Sequence, residues 1–155
     1  MSFLLAVLMF LATSAQRPTD IVRWSATAPA KAIAPGGVAK IELSAKIEDG
    51  WKLYALSQPK GGPIPLTIVL EKGTPFTLVQ KQITGPLPKL QKDDNFNLET
   101  QYYEHEAAFT LPVTLPRTAS GKLQIPLDVT FQACGASICL RPFTHRISVD
   151  ILVSR

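Results

Sequence analysis

The two cysteines of this 155-residue chain, Cys134 and Cys139, stand five positions apart in FQACGASICLRP (131–142). A pair so spaced can close a small disulfide. As a staple it would be modest: a loop of about six residues stabilises a fold by roughly 2 kcal/mol in the chain-entropy estimate. The alternative is a redox pair, because a short bridge in an irregular loop is readily reduced. Arg141 and Arg146 follow closely, and positive charge lowers a thiol's pKa. Zinc is a third chemistry, with Cys134, Cys139, His105 and His145 as the four ligands. Their spacing matches no common finger. Copper(I) favours thioethers, yet Met1 and Met9 both lie in the N-terminal segment. Two histidines and scattered serines form no recognisable nucleophile motif, and each histidine reads as an ordinary strand residue. No metal and no cofactor are expected. Staple and exchange pair both stay open at this point.

The chain's N-terminus bears on which cysteine chemistry prevails. Residues 3–12, FLLAVLMFLA, are an unbroken apolar run followed by Thr13-Ser14-Ala15. An apolar core ending in small residues marks a signal peptide. Ten residues rise only about 15 Å as a helix, half a bilayer's hydrocarbon core. The usual N-terminal Lys or Arg is missing, and a buried N-terminal helix is the competing interpretation. We expect residues 1–15 to be a signal peptide cleaved after Ala15, with 16–155 the mature domain. In an oxidising compartment such as the periplasm, paired thiols normally oxidise. The net charge of +4 is mild and no run of five basic residues occurs, so nucleic acid is not an expected partner.

What must position the cysteines reads as β-structure. Residues 38–48 (VAKIELSAKIE), 122–132 and 143–153 alternate apolar and polar side chains, the mark of a half-buried strand. Weaker strands are expected over 21–26, 66–71, 76–84 and 107–115. Turn signals such as Pro35-Gly36-Gly37, Asp49-Gly50 and Ser120-Gly121 separate them. No mature segment of ten residues has a convincing helical period. The expected fold is all-β, an antiparallel two-sheet sandwich. The longest irregular stretch is 87–103, a length typical of a lid or binding loop. Within it Asp93, Asp94 and Asn95 read as a solvated turn and Phe96 as a loop anchor. Trp51 and Tyr54 read as core or edge packing, or as a wall of the cysteine site.

DGWKLYALSQP (49–59), YYEHEAAFTLPVTLP (102–116) and FQACGASICLRP (131–142) carry a family likeness. Through them the chain resembles the N-terminal periplasmic domain of the thiol–disulfide interchange protein DsbD. The resemblance implies an immunoglobulin-like sandwich. It implies that Cys134 and Cys139 are a redox pair exchanging with exported thioredoxin-like proteins and a membrane electron carrier, with a link to cytochrome c biogenesis. It also implies a cap loop over the pair, which places Phe96, Asp93 and Asp94 in the cap and Trp51 and Tyr54 at the site. The chain ends at Arg155, just after the sandwich, so the membrane and C-terminal thioredoxin-like domains of full-length DsbD are expected to be absent; a monomer is also expected. The other expectation is a binding or assembly sandwich with a structural disulfide.

Overall fold

In a computed structural model, which describes residues 17–154, the alternating segments become strands. After one helical turn, α1 (Pro18–Ile21), the chain forms β1 (Val22–Thr27), β2 (Val38–Ile47), β3 (Lys52–Tyr54), β4 (Thr67–Leu70) and β5 (Thr77–Leu78). It continues through β6 (Lys89–Asp93), β7 (Leu98–Tyr103), β8 (Glu106–Thr114), β9 (Gly121–Phe131), β10 (Ala133–Cys134) and β11 (Phe143–Val153). The expected signal peptide, residues 1–15, lies outside the described residues. Among those described, no helix is long and apolar enough to cross a membrane.

The strands pack as an immunoglobulin-like antiparallel sandwich. One layer is the sheet β1-β2-β8-β5, and the other begins as β11-β9-β4. Period-two patterning decides which side chains meet between them. Ile41 and Leu43 from β2, Phe109 and Leu111 from β8, and Leu127 and Val129 from β9 are fully buried in one core cluster. Each such side chain contributes about 1.5–3 kcal/mol on leaving water.

The second layer does not stop with β9. After a single residue, Gln132, the strand resumes as β10, and the Tyr54 amide donates to the Gln132 carbonyl at 3.3 Å. The continuation is the sheet β10-β3-β7-β6. Two of its strands fall in 87–103, the stretch expected to be irregular. β6 and β7 form an antiparallel hairpin there, pairing Lys89 with Tyr102 and Asp93 with Leu98. Its turn includes Asn97 at φ 53°, a left-handed conformation that asparagine tolerates better than most residues. The expected strand over 76–84 is also reduced: only β5 is extended, followed by a 3-10 turn at Gln80–Gln82 and an isolated bridge from Thr84 to Thr110.

Candidate functional site

Three short strands in this continued sheet are buried on both faces. Leu53, Tyr103 and Ala133 point into the main core, while their neighbours Tyr54, Tyr102 and Cys134 form a second buried cluster. Successive strand residues point to opposite sides, so the second cluster needs its own cover. Register assembles it. Tyr54 pairs with Tyr102 across β3–β7, and Lys52 pairs with Cys134 across β3–β10. Directly opposed residues share a face, so Lys52, Tyr54, Tyr102 and Cys134 all stand on it. Phe96 and Cys139 pack onto this cluster as its partly buried members.

The cover is the turn of the β6–β7 hairpin. Phe96 meets Tyr54 edge-to-face with ring centroids 5.7 Å apart, a geometry favoured by the aromatic quadrupole. Asp93 holds the turn in place. The buried Tyr54 hydroxyl donates to its Oδ2 at 2.7 Å, the Asn95 amide to Oδ1 at 2.9 Å, and the Thr100 hydroxyl to Oδ2 at 3.4 Å. Burial alone would push the Asp93 carboxyl up. The Tyr54 hydroxyl, the Asn95 hydrogen bonds and the nearby Lys52 ammonium instead hold it below its usual value. Burial, then the hydrogen bond to Asp93 and its charge, push Tyr54 far above the usual phenol range. The pair is therefore a carboxylate and a neutral donor.

The cysteines are joined as a disulfide that bridges the two arms of the 134–139 loop. The loop closes through the Gly135 amide donating to the Ile138 carbonyl at 2.8 Å, and the Leu140 amide to the Ala133 carbonyl at 2.9 Å. Its two ends differ in exposure. Cys134 is 0% exposed, Cys139 is half-buried, and the loop residues Ala136, Ser137 and Ile138 are exposed. The Trp51 indole, in the main core, lies beneath Gly135: a Cβ there would sit 3.6 Å from the ring. A groove of about 300 Å³ runs between this loop and the cap turn, lined by Lys52, Asp93, Asp94, Glu104, Gly135 and Ala136 among others.

The structure thus brings Cys134, Cys139, Tyr54, Phe96 and Asp93 together. Trp51 adjoins them through Gly135, and Asp94 is an exposed groove residue. Asp93 departs from the solvated turn expected of it: it is buried because its carboxylate has a full set of donors. Arg146 is engaged elsewhere, bound to Glu71 at 3.1 Å and Asp128 at 3.0 Å. Arg141 is exposed. His105 bonds Asp49 at 3.1 Å, and no cluster of three metal-ligating side chains occurs among the described residues. Sequence reasoning missed Lys52, Thr100 and Tyr102. The alternation Trp51-Lys52-Leu53-Tyr54 was the available signal for Lys52, since it puts Lys52 on whichever face holds Tyr54.

Comparison with known proteins decides the family. The profile described as thiol:disulfide interchange protein DsbD, N-terminal, matches residues 21–151. The chain belongs to this family. The DsbD N-terminal family match covers every element of the cysteine face. Among solved structures, the DsbD N-terminal domain of Neisseria meningitidis in its reduced form is similar, at 16% identity and TM-score 0.55 over 86% of this chain and 87% of that one. The N-terminal periplasmic domain of ScsB from Proteus mirabilis is similar at 21% identity and TM-score 0.57. That alignment takes in 88% of this chain but 49% of the ScsB chain, so the present chain spans about half of it. At these identities the likeness shows the shared fold. No curated protein sequence matches.

If the Phe96 turn shields the sulfurs, Phe96→Ala should raise the alkylation rate of the reduced thiols. The fold should stay intact, because Phe96 packs on the second cluster and not in the main core. Timed alkylation read by mass, beside a thermal melt, is the measurement. An unchanged rate at unchanged melting temperature would remove Phe96 from the cap.

Proposed function

We propose that the domain is an exported thiol–disulfide exchange module. Its Cys134–Cys139 pair passes electrons between a membrane electron carrier and thioredoxin-like partners in the periplasm. The observation that carries this is the asymmetry across one bond, with a buried residue at Cys134 and a partly buried one at Cys139 beside an exposed loop. Membership of the DsbD N-terminal family supports it.

The chemistry balances on sulfur alone. A partner thiolate attacks Cys139 Sγ in line with the bond to Cys134. The new bond joins partner and Cys139, and the electron pair of the old bond leaves on Cys134 Sγ. The partner's second thiolate then attacks the partner's own sulfur and releases Cys139. Two electrons have moved to the domain, whose thiolates take up protons from water, and the partner is left as a disulfide. The reverse sequence reoxidises the domain. The difference between the two reduction potentials sets the direction, with about 30 mV equivalent to a tenfold change in the exchange equilibrium constant, or 1.4 kcal/mol. No cofactor is needed, and one monomer carries the whole pair.

Mixing the oxidised domain with a reduced thioredoxin-like protein tests this. Two new thiols per domain should appear on alkylation and mass analysis. A pair that resists exchange, with a potential below about −300 mV, would be a structural staple and would return the protein to the binding or assembly alternative.

Export itself has a separate test. The proposal places residues 1–15 in a signal peptide, so intact mass of the exported protein should correspond to a chain beginning at Gln16. Retention of Met1 in a membrane fraction would refute it.

A further inference from the structure

When the disulfide opens at Cys139, charge appears in an awkward place. The electron pair goes to Cys134 Sγ, on a residue 0% exposed. A thiolate buried among apolar groups is costly, and a buried thiol without help has a raised pKa. A leaving thiolate of high pKa also leaves slowly. The site therefore needs a cation on the face that holds Cys134.

Among the described residues, few charged groups face this place. β3 contributes Lys52, β6 and its turn contribute Lys92, Asp93 and Asp94, Glu104 follows β7, and the 135–138 segment carries no titratable side chain. Glu104 is tied to Lys89 at 2.7 Å, and the Asp93 carboxylate is occupied by Tyr54, Asn95 and Thr100. Lys92 and Asp94 are exposed. Lys52 is half-buried, is the direct cross-strand partner of Cys134, and takes part in no ion pair within 4 Å among the described residues, although its charge also reaches Asp93. Its ammonium stands 4.6 Å from the centroid of the Tyr102 ring, another member of the Cys134 cluster. That ring holds the amine on the cysteine face instead of releasing it to solvent, since a cation over an aromatic face is attracted by the quadrupole.

We propose that Lys52 is a positioning residue for disulfide exchange, its ammonium stabilising the thiolate that forms on Cys134 as the bond to Cys139 breaks. This rests on the exchange function proposed above. Lys52 neither bonds the partner nor accepts the electron pair. It lowers the energy of the charge left behind, in whichever direction exchange runs.

Two measurements test it. The first is the thiolate absorbance of the Cys139→Ser domain against pH, which reports Cys134 alone. Lys52→Gln should raise the midpoint and cut the thiolate fraction near neutral pH by about fivefold or more, since one charge a few ångströms away has that Coulomb effect even at the dielectric constant of bulk water. Lys52→Arg should restore it, and Lys52→Glu should shift it further. The second keeps both cysteines and follows reduction of the oxidised domain by dithiothreitol. Lys52→Gln should slow it about twofold, because only part of the leaving-group charge develops in the transition state. An unchanged midpoint, or equal rates for Gln, Arg and Glu variants of unchanged melting temperature, overturns the proposal. If the single-cysteine domain does not fold, the dithiothreitol rates decide alone. A wild-type domain that dithiothreitol reduces but no thioredoxin-like dithiol does would defeat the exchange function, while the ranking of the Lys52 variants would still judge Lys52.

Discussion

Cys134→Ser traps a covalent complex with an exported thioredoxin-like protein, and Cys139→Ser does not: this is the asymmetry the burial of the two sulfurs leads us to expect. With Cys134 replaced, the remaining thiol is Cys139, half-buried at the foot of an exposed loop. It can enter a mixed disulfide, and its own resolving sulfur is gone. With Cys139 replaced, the remaining thiol is Cys134, which is fully buried and lies under the Phe96 turn. Both variants should fold. The lost bridge closes a small loop worth about 2 kcal/mol, against a domain stability of roughly 5–15 kcal/mol. Non-reducing electrophoresis of each variant from the exported fraction, followed by mass identification of the trapped protein, is the measurement. Equal trapping by both variants would contradict the assignment of Cys139 as the attacked sulfur. If both unfold and neither traps, the bridge is a staple.

Removing one hydroxyl should loosen the cap. Tyr54→Phe leaves the Asp93 carboxylate buried with its 2.7 Å donor missing. Hydrogen bonds to charged groups contribute about 1.5–3 kcal/mol, so a loss of about 2 kcal/mol is expected near neutral pH. The sign of the pH dependence follows from the direction of the Asp93 shift. Its folded pKa lies below the unfolded value, so the stabilisation is fully present above the unfolded carboxyl pKa. It is lost as pH falls through the folded pKa. The difference between wild type and Tyr54→Phe should therefore be largest at about pH 7 and shrink toward about pH 2 as the carboxyl takes up its proton. Urea unfolding at the two pH values measures it. An equal difference at both would mean that the hydroxyl does not act through the Asp93 charge. In the same variant the reduced thiols should alkylate faster, since Asp93 anchors the turn that carries Phe96.

Much of the sandwich was legible because its strands are half-buried. β2, β9 and β11 each place a polar side chain between apolar ones, so alternation alone names the strand and its inward face. β6 escaped for the converse reason. It is an edge strand, and four of its five residues are exposed, so no apolar period exists to read. The strand expected over 76–84 was drawn too long because Phe76 and Val79 only flank the two residues of β5, Phe76 packing against the core and Val79 standing exposed, before the chain turns into a 3-10 helix.

The cysteine site divides along the same line. Sequence by itself determined that Cys134 and Cys139 can pair, since five positions of separation keep them close whatever the fold does. It also determined the strand character of the segments on either side, because period-two patterning is a local property. Only the tertiary structure decided what surrounds the sulfurs. Lys52 lies 82 positions from Cys134 and Asp93 lies 39 from Tyr54, and their meetings depend on strand register. Register is set by hydrogen bonds and core packing between distant segments, which no local pattern encodes. That register made Cys134 a buried residue, gave Asp93 a buried place bonded to Tyr54 and Asn95, and put Lys52 on the face that holds Cys134.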